Sequence, residues 1–141
     1  MIEVYFEDVD AFDLDVTLIN QWLKDVAHKE NHELGDVSMI LCSDEHLLEM
    51  NRKHLDHDYY TDIITFDYTE EDVVSGDLFI SVDRVKDNAN THKEMFHVEL
   101  LRVMVHGVLH LLGYKDKSEE EQRLMREKEN WALGLIVSRE T

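Results

Sequence analysis

The sequence predicts an α+β domain, α/β-like in its alternation, with about four strands in a mixed sheet and about four or more helices around it. Three observations carry that expectation. Short segments rich in β-branched and aromatic residues alternate with longer ones whose apolar residues return at helical spacing. No proline, Gly/Ser-rich linker or internal repeat divides the 141 residues, so residues 1–141 read as one domain. A chain of this length buries roughly two thirds of the surface it exposes when unfolded, enough for a real core.

Each element has its own signal. Ile2, Val4 and Phe6 alternate with Glu3 and Tyr5, the pattern of a half-buried strand. After the acidic stretch EDVDAFDLD, residues Ile19, Trp22, Leu23 and Val26 recur as one face of a helix. DVSMILCS is short and apolar on both alternations, which predicts a central strand covered on both faces, with Cys42 packed rather than redox-active. Ser43 caps the next helix, DEHLLEMNRKHL, by accepting a first-turn N–H, and the acids that follow suit the positive helix end. DIITFDY and GDLFISV read as two further strands flanking TEEDVVSG, whose Gly76 suits a tight turn or a bulge. From about Asn88 one helical pattern runs through Met95, Phe96, Leu100 and Val103 into His106 and His110. The last segment, SEEEQRLMREKENWALGLIV, opens with a capping box, Ser118 and Glu121, and sets Leu124, Trp131 and Leu135 on one stripe.

Fourteen basic residues against thirty-two acidic ones give a net charge of -18, which repels phosphate backbones at long range. Composition alone therefore argues against nucleic acid. No stretch approaches the ~20 apolar residues of a membrane span, and the first residues are acidic where a signal peptide is basic and then apolar. The expectation is a cytoplasmic protein without a membrane partner. A single cysteine forms no internal disulfide.

Residues 106 to 116, HGVLHLLGYKD, carry the chemistry. His106 and His110 lie four apart, on one helix face about 6 Å apart at Cβ, so two imidazoles can converge on one ion. In a chain with nine histidines that spacing is a weak signal by itself. Gly113, three residues on, can take the left-handed conformation that ends a helix, and Asp116 follows after three more. The turn can bring that carboxylate back as a third ligand and leave the fourth position for water, the layout of a catalytic zinc site. The expectation is a metal site at the C-terminal end of a central helix, formed by His106, His110 and Asp116. It would hold one zinc or another divalent ion and need no nucleotide cofactor. The same spacing matches the long zinc-protease motif, but the residue after the first histidine is Gly107, where those enzymes carry the glutamate base. A metalloprotease is thus the weaker alternative, and hydrolysis of an ester or phosphodiester stays open.

Other polar residues read less sharply. Glu99 shares the face of His106 about 10 Å back along the axis, too far for a ligand, and is either groove lining or a solvated position. Thr61 and Asp62 read equally as the rim of a site or as a turn before a strand. His54 and His57 are polar-loop residues before they are extra ligands or a base, and His92 and His97 receive no role. Arg84, Lys86, Lys93 and Arg102 form a modest basic cluster that could offset the acidity locally, with a solvated surface paired to nearby acids as the preferred reading. No general acid or base is identified.

HGVLHLLGY, together with the upstream NRKHLDHDYYTDIITF and GDLFISVDRV, resembles the YbeY family of bacterial rRNA maturation factors and single-strand-specific endoribonucleases, over roughly Leu48 to Met125. His106, His110, Gly113 and Tyr114 match, as do Asn51, Asp58, Thr61, Asp62, Phe66, Gly76 and Asp77. The resemblance implies a zinc-dependent single-strand-specific endoribonuclease acting in rRNA processing and ribosome maturation, with ribosomal RNA and small-subunit components as partners. Family members bind zinc through three histidines, the third at the position of Asp116 by direct alignment. A one-residue insertion would instead make Asp116 the family's aspartate and put Lys117, which cannot coordinate, in the ligand position. The direct alignment keeps the ligand spacing without a gap and is preferred. Where the family carries an arginine expected to hold a phosphate, this chain has Leu55, and the usual proline is Tyr60. Leu55 and the acidity keep a second reading open, a non-catalytic ribosome-assembly factor in which the metal pins the last helix.

Overall fold

Strands and helices follow one another along the chain much as its periodicities predict. The computed structural model describes residues 1–54 and 61–140. Its elements are β1 (Ile2–Phe6), α1 (Val16–Lys29), β2 (Glu33–Cys42), α2 (Asp44–His54), β3 (Ile63–Asp67), β4 (Val73–Ser81), α3 (Val82–Thr91), α4 (Phe96–Leu111) and α5 (Glu119–Glu140). The sheet runs β1-β2-β4-β3, with β1, β2 and β4 parallel and β3 antiparallel at the edge. It is the mixed four-stranded sheet of an α+β domain. No helix among the described residues is long and apolar enough to cross a membrane.

One face of the sheet carries most of the core. Val37, Met39, Leu41, Leu78 and Ile80 are sealed beneath Trp22 and Leu23 of α1 and Met104 and Leu109 of α4. The Trp22 indole donates to the Ala132 carbonyl at 2.7 Å, so α5 is tied to α1 by the polar atom of a fully buried ring. On the other face α2 covers a smaller cluster of Cys42, Leu47 and Ile64, against which Phe66 and Phe79 meet edge to face at 5.8 Å. β2 is central, as expected, but Ser38 and Ile40 stay half-buried, so both faces are covered only toward its Cys42 end. There, burial first and the charges of nearby acids second push the Cys42 thiol up to about 12.

Three sequence expectations need correction. The helix leading to the motif is two helices, because Ser81 starts α3 by accepting from the Arg84 N–H at 3.1 Å and the chain turns over at Lys93. Lys93 has a φ of 52°, while Lys93 N donates to Asn90 O and Glu94 N to Ala89 O, a Schellman ending with lysine where glycine is usual. Gly76 lies inside β4, opposite Val37 and Asp67, beside the bulge-like shift in register between β2 and β4, so of the expected turn or bulge it is the turn that does not form. A Cβ there would stand 2.4 Å from the Phe66 carbonyl oxygen and 3.0 Å from Leu111, so close approach of backbone and helix requires glycine. On α5 the stripe that turns inward is Met125, Glu129, Ala132 and Ile136, while Leu124 is exposed. The capping box itself forms, with Glu121 N donating to Ser118 Oγ at 3.1 Å and Ser118 N to Glu121 Oε1 at 2.9 Å.

α4 is the central helix, buried on nearly every side by Leu100, Leu101, Val103, Met104, Val105, Val108 and Leu109. Only one line along it is less than sealed near the motif, and that line holds Arg102, His106 and His110. Their spacing of four places them on one face, which borders the open cleft below β3 and the inner face of α5.

Candidate metal centre

The helix spacing and the turn after it bring three donors together. His106 Nε2 and His110 Nε2 lie 3.1 Å apart, and Asp116 Oδ2 lies 3.3 Å from the first and 3.4 Å from the second. A tetrahedral cation held at the usual 2.0–2.1 Å by nitrogen and oxygen sets its donors about 3.3–3.4 Å apart, so this triangle has the size such an ion needs. His106, His110 and Asp116 could therefore hold a metal ion.

The donor chemistry points the same way. His106 Nδ1 lies 2.7 Å from Glu129 Oε2, and His110 Nδ1 lies 2.9 Å from the Tyr114 carbonyl oxygen. Both partners only accept, so each imidazole carries its proton on Nδ1 and turns the lone pair of Nε2 inward. Two such lone pairs and a carboxylate oxygen at these separations repel one another until a cation or a proton sits among them. Gly113 makes the geometry possible. Its φ of 106° ends α4 in a Schellman turn, with Gly113 N donating to His110 O and Tyr114 N to Leu109 O, both at 3.0 Å. That turn places the Tyr114 carbonyl over His110 and returns Asp116 toward the two rings.

Glu129 was not visible as a site residue in the sequence. It is 5% exposed, and its second oxygen accepts from Arg102 Nη1 at 3.0 Å. Its signal becomes readable only once the buried stripe of α5 is known. A glutamate falls on the line of Met125, Ala132 and Ile136, and an acid on the apolar stripe of a helix needs a buried partner. Burial opposes the charged form of His106, but the Glu129 hydrogen bond and the charges of Glu129, Asp62 and Asp116 outweigh it and hold the imidazolium above its ordinary range. For Glu129 burial acts upward, and the hydrogen bonds from His106 and Arg102 overcome it, so its carboxyl is held below the usual value.

The donors open onto a cleft of about 610 Å³ whose walls include Asn51, Thr61, Asp62, Ile63 and Lys117. Thr61 and Asp62 thus belong to the rim. Burial raises the Asp62 carboxyl, against the attraction of His106 and a hydrogen bond from Asn88 Nδ2 at 3.3 Å. Glu99 is neither a ligand nor solvated. It is buried and its carboxylate lies 3.5 Å from His92 Nδ1, which gives that histidine a structural role. Of the four cations in the basic cluster, Arg84 pairs with Asp44 and Asp87 and Arg102 with Glu129, while Lys86 and Lys93 are exposed. Leu55, His57, Asp58 and Tyr60 lie outside the described residues, as does the side chain of His54.

Gly107 bears on what the centre can do. A Cβ at that position would stand 2.8 Å from both Ile63 Cδ1 and Leu78 Cδ1, so the helix face one step past His106 is pressed onto the sheet. The position that holds the base in a zinc protease has no carboxylate, and a side chain there would have to push aside the tips of Ile63 and Leu78.

The family described as Endoribonuclease YbeY matches residues 6–136. A protein of Parabacteroides distasonis named Endoribonuclease YbeY is 48% identical over 135 residues, which cover 96% of this chain and 95% of the relative. One of the same name from Cytophaga hutchinsonii is 53% identical over 118 residues, 83% of this chain and 82% of its own. A solution structure of a Thermotoga maritima protein superposes with a TM-score of 0.69 at 29% identity, covering 99% of this chain and 91% of that one. With its strand order, its donor spacing and matches that run nearly from end to end, the chain belongs to the YbeY family.

Proposed function

We propose that residues 1–141 form one metal-dependent hydrolase domain, a zinc-dependent, single-strand-specific endoribonuclease acting in rRNA processing and ribosome maturation. The observation that carries this reading is the triangle of His106 Nε2, His110 Nε2 and Asp116 Oδ2, with edges of 3.1, 3.3 and 3.4 Å. The names of the relatives supply the substrate class, RNA. A four-coordinate site of two imidazoles and a carboxylate with one open position suits zinc, and the same donors suit other divalent ions. Bound there, it supplies Lewis-acid polarisation of a phosphodiester and makes water more acidic. The chain's own residues hold the site. Glu129 and the Tyr114 carbonyl fix which nitrogen of each histidine faces inward, Gly113 returns Asp116, and Asp62 and Thr61 shape the wall beside them. The partners on this reading are ribosomal RNA and components of the small ribosomal subunit, met in the cytoplasm.

The experiment is metal content and RNA turnover of the purified protein. Emission spectrometry should find one zinc per chain, lost in His106→Ala, and a single-stranded RNA should be cut by the loaded protein and spared after chelation. A net charge of -18 favours the second reading, a ribosome-assembly factor in which the ion only pins α5. Metal loss that lowers the melting temperature, with no RNA turnover by fully loaded protein, would establish that reading and overturn the enzyme. Peptide turnover is opposed by Gly107.

A further inference from the structure

We propose that Lys117 is the phosphate-binding cation of the cleft, contacting the backbone of single-stranded RNA beside the His106–His110–Asp116 triangle. This rests on the endoribonuclease reading. A phosphodiester approaching a chain of net charge -18 has to meet a positive charge near the reacting bond. Among the described residues lining the cleft, the carboxylates are Asp62, Asp67 and Asp116, and the one lysine or arginine is Lys117.

Lys117 is also available. Of the other cations near this end of the fold, Arg102 and Arg126 face Glu129 at 3.0 and 3.6 Å, Lys128 faces Glu30 at 3.3 Å, and Lys115 is exposed but does not line the cleft. The Lys117 side chain is exposed and forms no ion pair with a described residue, although acids dominate its surroundings. Its backbone, in contrast, is held. Lys117 N and Ser118 N both donate to Glu121 Oε1, at 3.2 and 2.9 Å, so the start of α5 clamps the chain immediately after Asp116. A flexible stem therefore leaves a fixed point one residue beyond the third donor. Asp116 is half-buried with its oxygen in the triangle, whereas Lys117 beside it lines the same cleft from the solvent side. An ammonium is a compact charge with freely rotating donors, which suits a phosphate gripped without regard to base sequence.

The test measures binding and turnover together on the zinc-loaded protein. Fluorescence anisotropy with a cleavage-resistant 2′-O-methyl single strand, repeated across salt concentrations, gives affinity and salt slope. In Lys117→Ala affinity should fall about 3- to 10-fold at low salt, and the slope of log K against log salt should shrink by about 0.7, one phosphate contact on a single strand. KM should rise by a similar factor with kcat within about twofold, and zinc stoichiometry and melting temperature should stay at the wild-type values. Lys117→Glu should bind more weakly still, Lys117→Arg should restore binding, and Lys115→Ala should match the wild type. Lys117→Ala with wild-type affinity and salt slope, in a protein that does cut RNA, would overturn the proposal alone. A wild type that neither binds nor cuts single-stranded RNA would instead overturn the endoribonuclease reading, and this proposal with it.

Discussion

Glu129 should govern how tightly the centre holds its ion although it touches no ion itself. Buried Glu129 spans His106 Nδ1 at 2.7 Å and Arg102 Nη1 at 3.0 Å, with Arg126 Nη1 farther off at 3.6 Å. In Glu129→Gln only one end of the amide can accept, so the NH2 end faces either the Arg102 guanidinium or the His106 N–H, donor against donor. Either choice loosens the imidazole or frees it to place its proton on Nε2. Removing such an outer partner typically weakens metal binding by about 10- to 100-fold, which is about 1.4 to 2.7 kcal/mol. Glu129→Ala goes further, because it leaves the Arg102 side chain, itself only 15% exposed, without its acid. Breaking a buried pair on one side costs about 3 kcal/mol or more, and for a domain of this size that is a melting point lower by about 6 to 12 °C. Competition against a chromogenic chelator reads the zinc affinity of the glutamine variant, and thermal melts of the metal-free proteins read the alanine variant. Glutamine at this position with undiminished zinc affinity would refute the reasoning, because the tautomer would then not depend on Glu129.

Gly107→Glu should not produce a peptidase. With Ile63 and Leu78 atoms 2.8 Å from the Cβ position, overpacking should instead lower stability by about 2 kcal/mol or more, and a melt unchanged from wild type would contradict the tight seam. In metal-free protein His106 titrates above the ordinary imidazole range, so the stability of its charged pair with Glu129 is fully present below that range and fades as pH rises through the folded value. A metal ion taking His106 Nε2 has to displace that proton, so affinity for added zinc should climb with pH, and calorimetry near pH 6.5 should show heats that vary with the ionisation enthalpy of the buffer; buffer-independent heats would remove this coupling. With its thiol pushed to about 12, Cys42 at pH 8 is about one part in ten thousand thiolate. Iodoacetamide should label it only after unfolding, and rapid stoichiometric labelling of the native protein would show the burial to be wrong.

The sequence was most legible where chemistry is local. His106 and His110 need only helical spacing to share a face, and Gly113 needs only its missing Cβ to turn the chain, so the donor set followed from eleven consecutive residues. Glu129 was hidden because its reason lies elsewhere in the chain. Its partners are 27 and 23 residues away on another helix, and the stripe of α5 could be drawn through Leu124 and Trp131 as easily as through Met125 and Ala132. The break between α3 and α4 escaped for a different cause. Lys93 takes a left-handed conformation that a lysine rarely adopts, held by two backbone hydrogen bonds rather than announced by a glycine. Gly76, conversely, did look like a turn, and only the carbonyl of Phe66 on the neighbouring strand explains its position in the middle of β4.

The seam at Gly107 also says how far this donor set stands from peptide chemistry. Placing an acid there first would wedge α4 off the sheet, and trimming Ile63 and Leu78 first would leave a hole beneath the histidines until the acid arrived. Neither order is silent in stability, so two catalysts that share the same run of ligand spacings are separated by a barrier of packing rather than by a single exchange of residues.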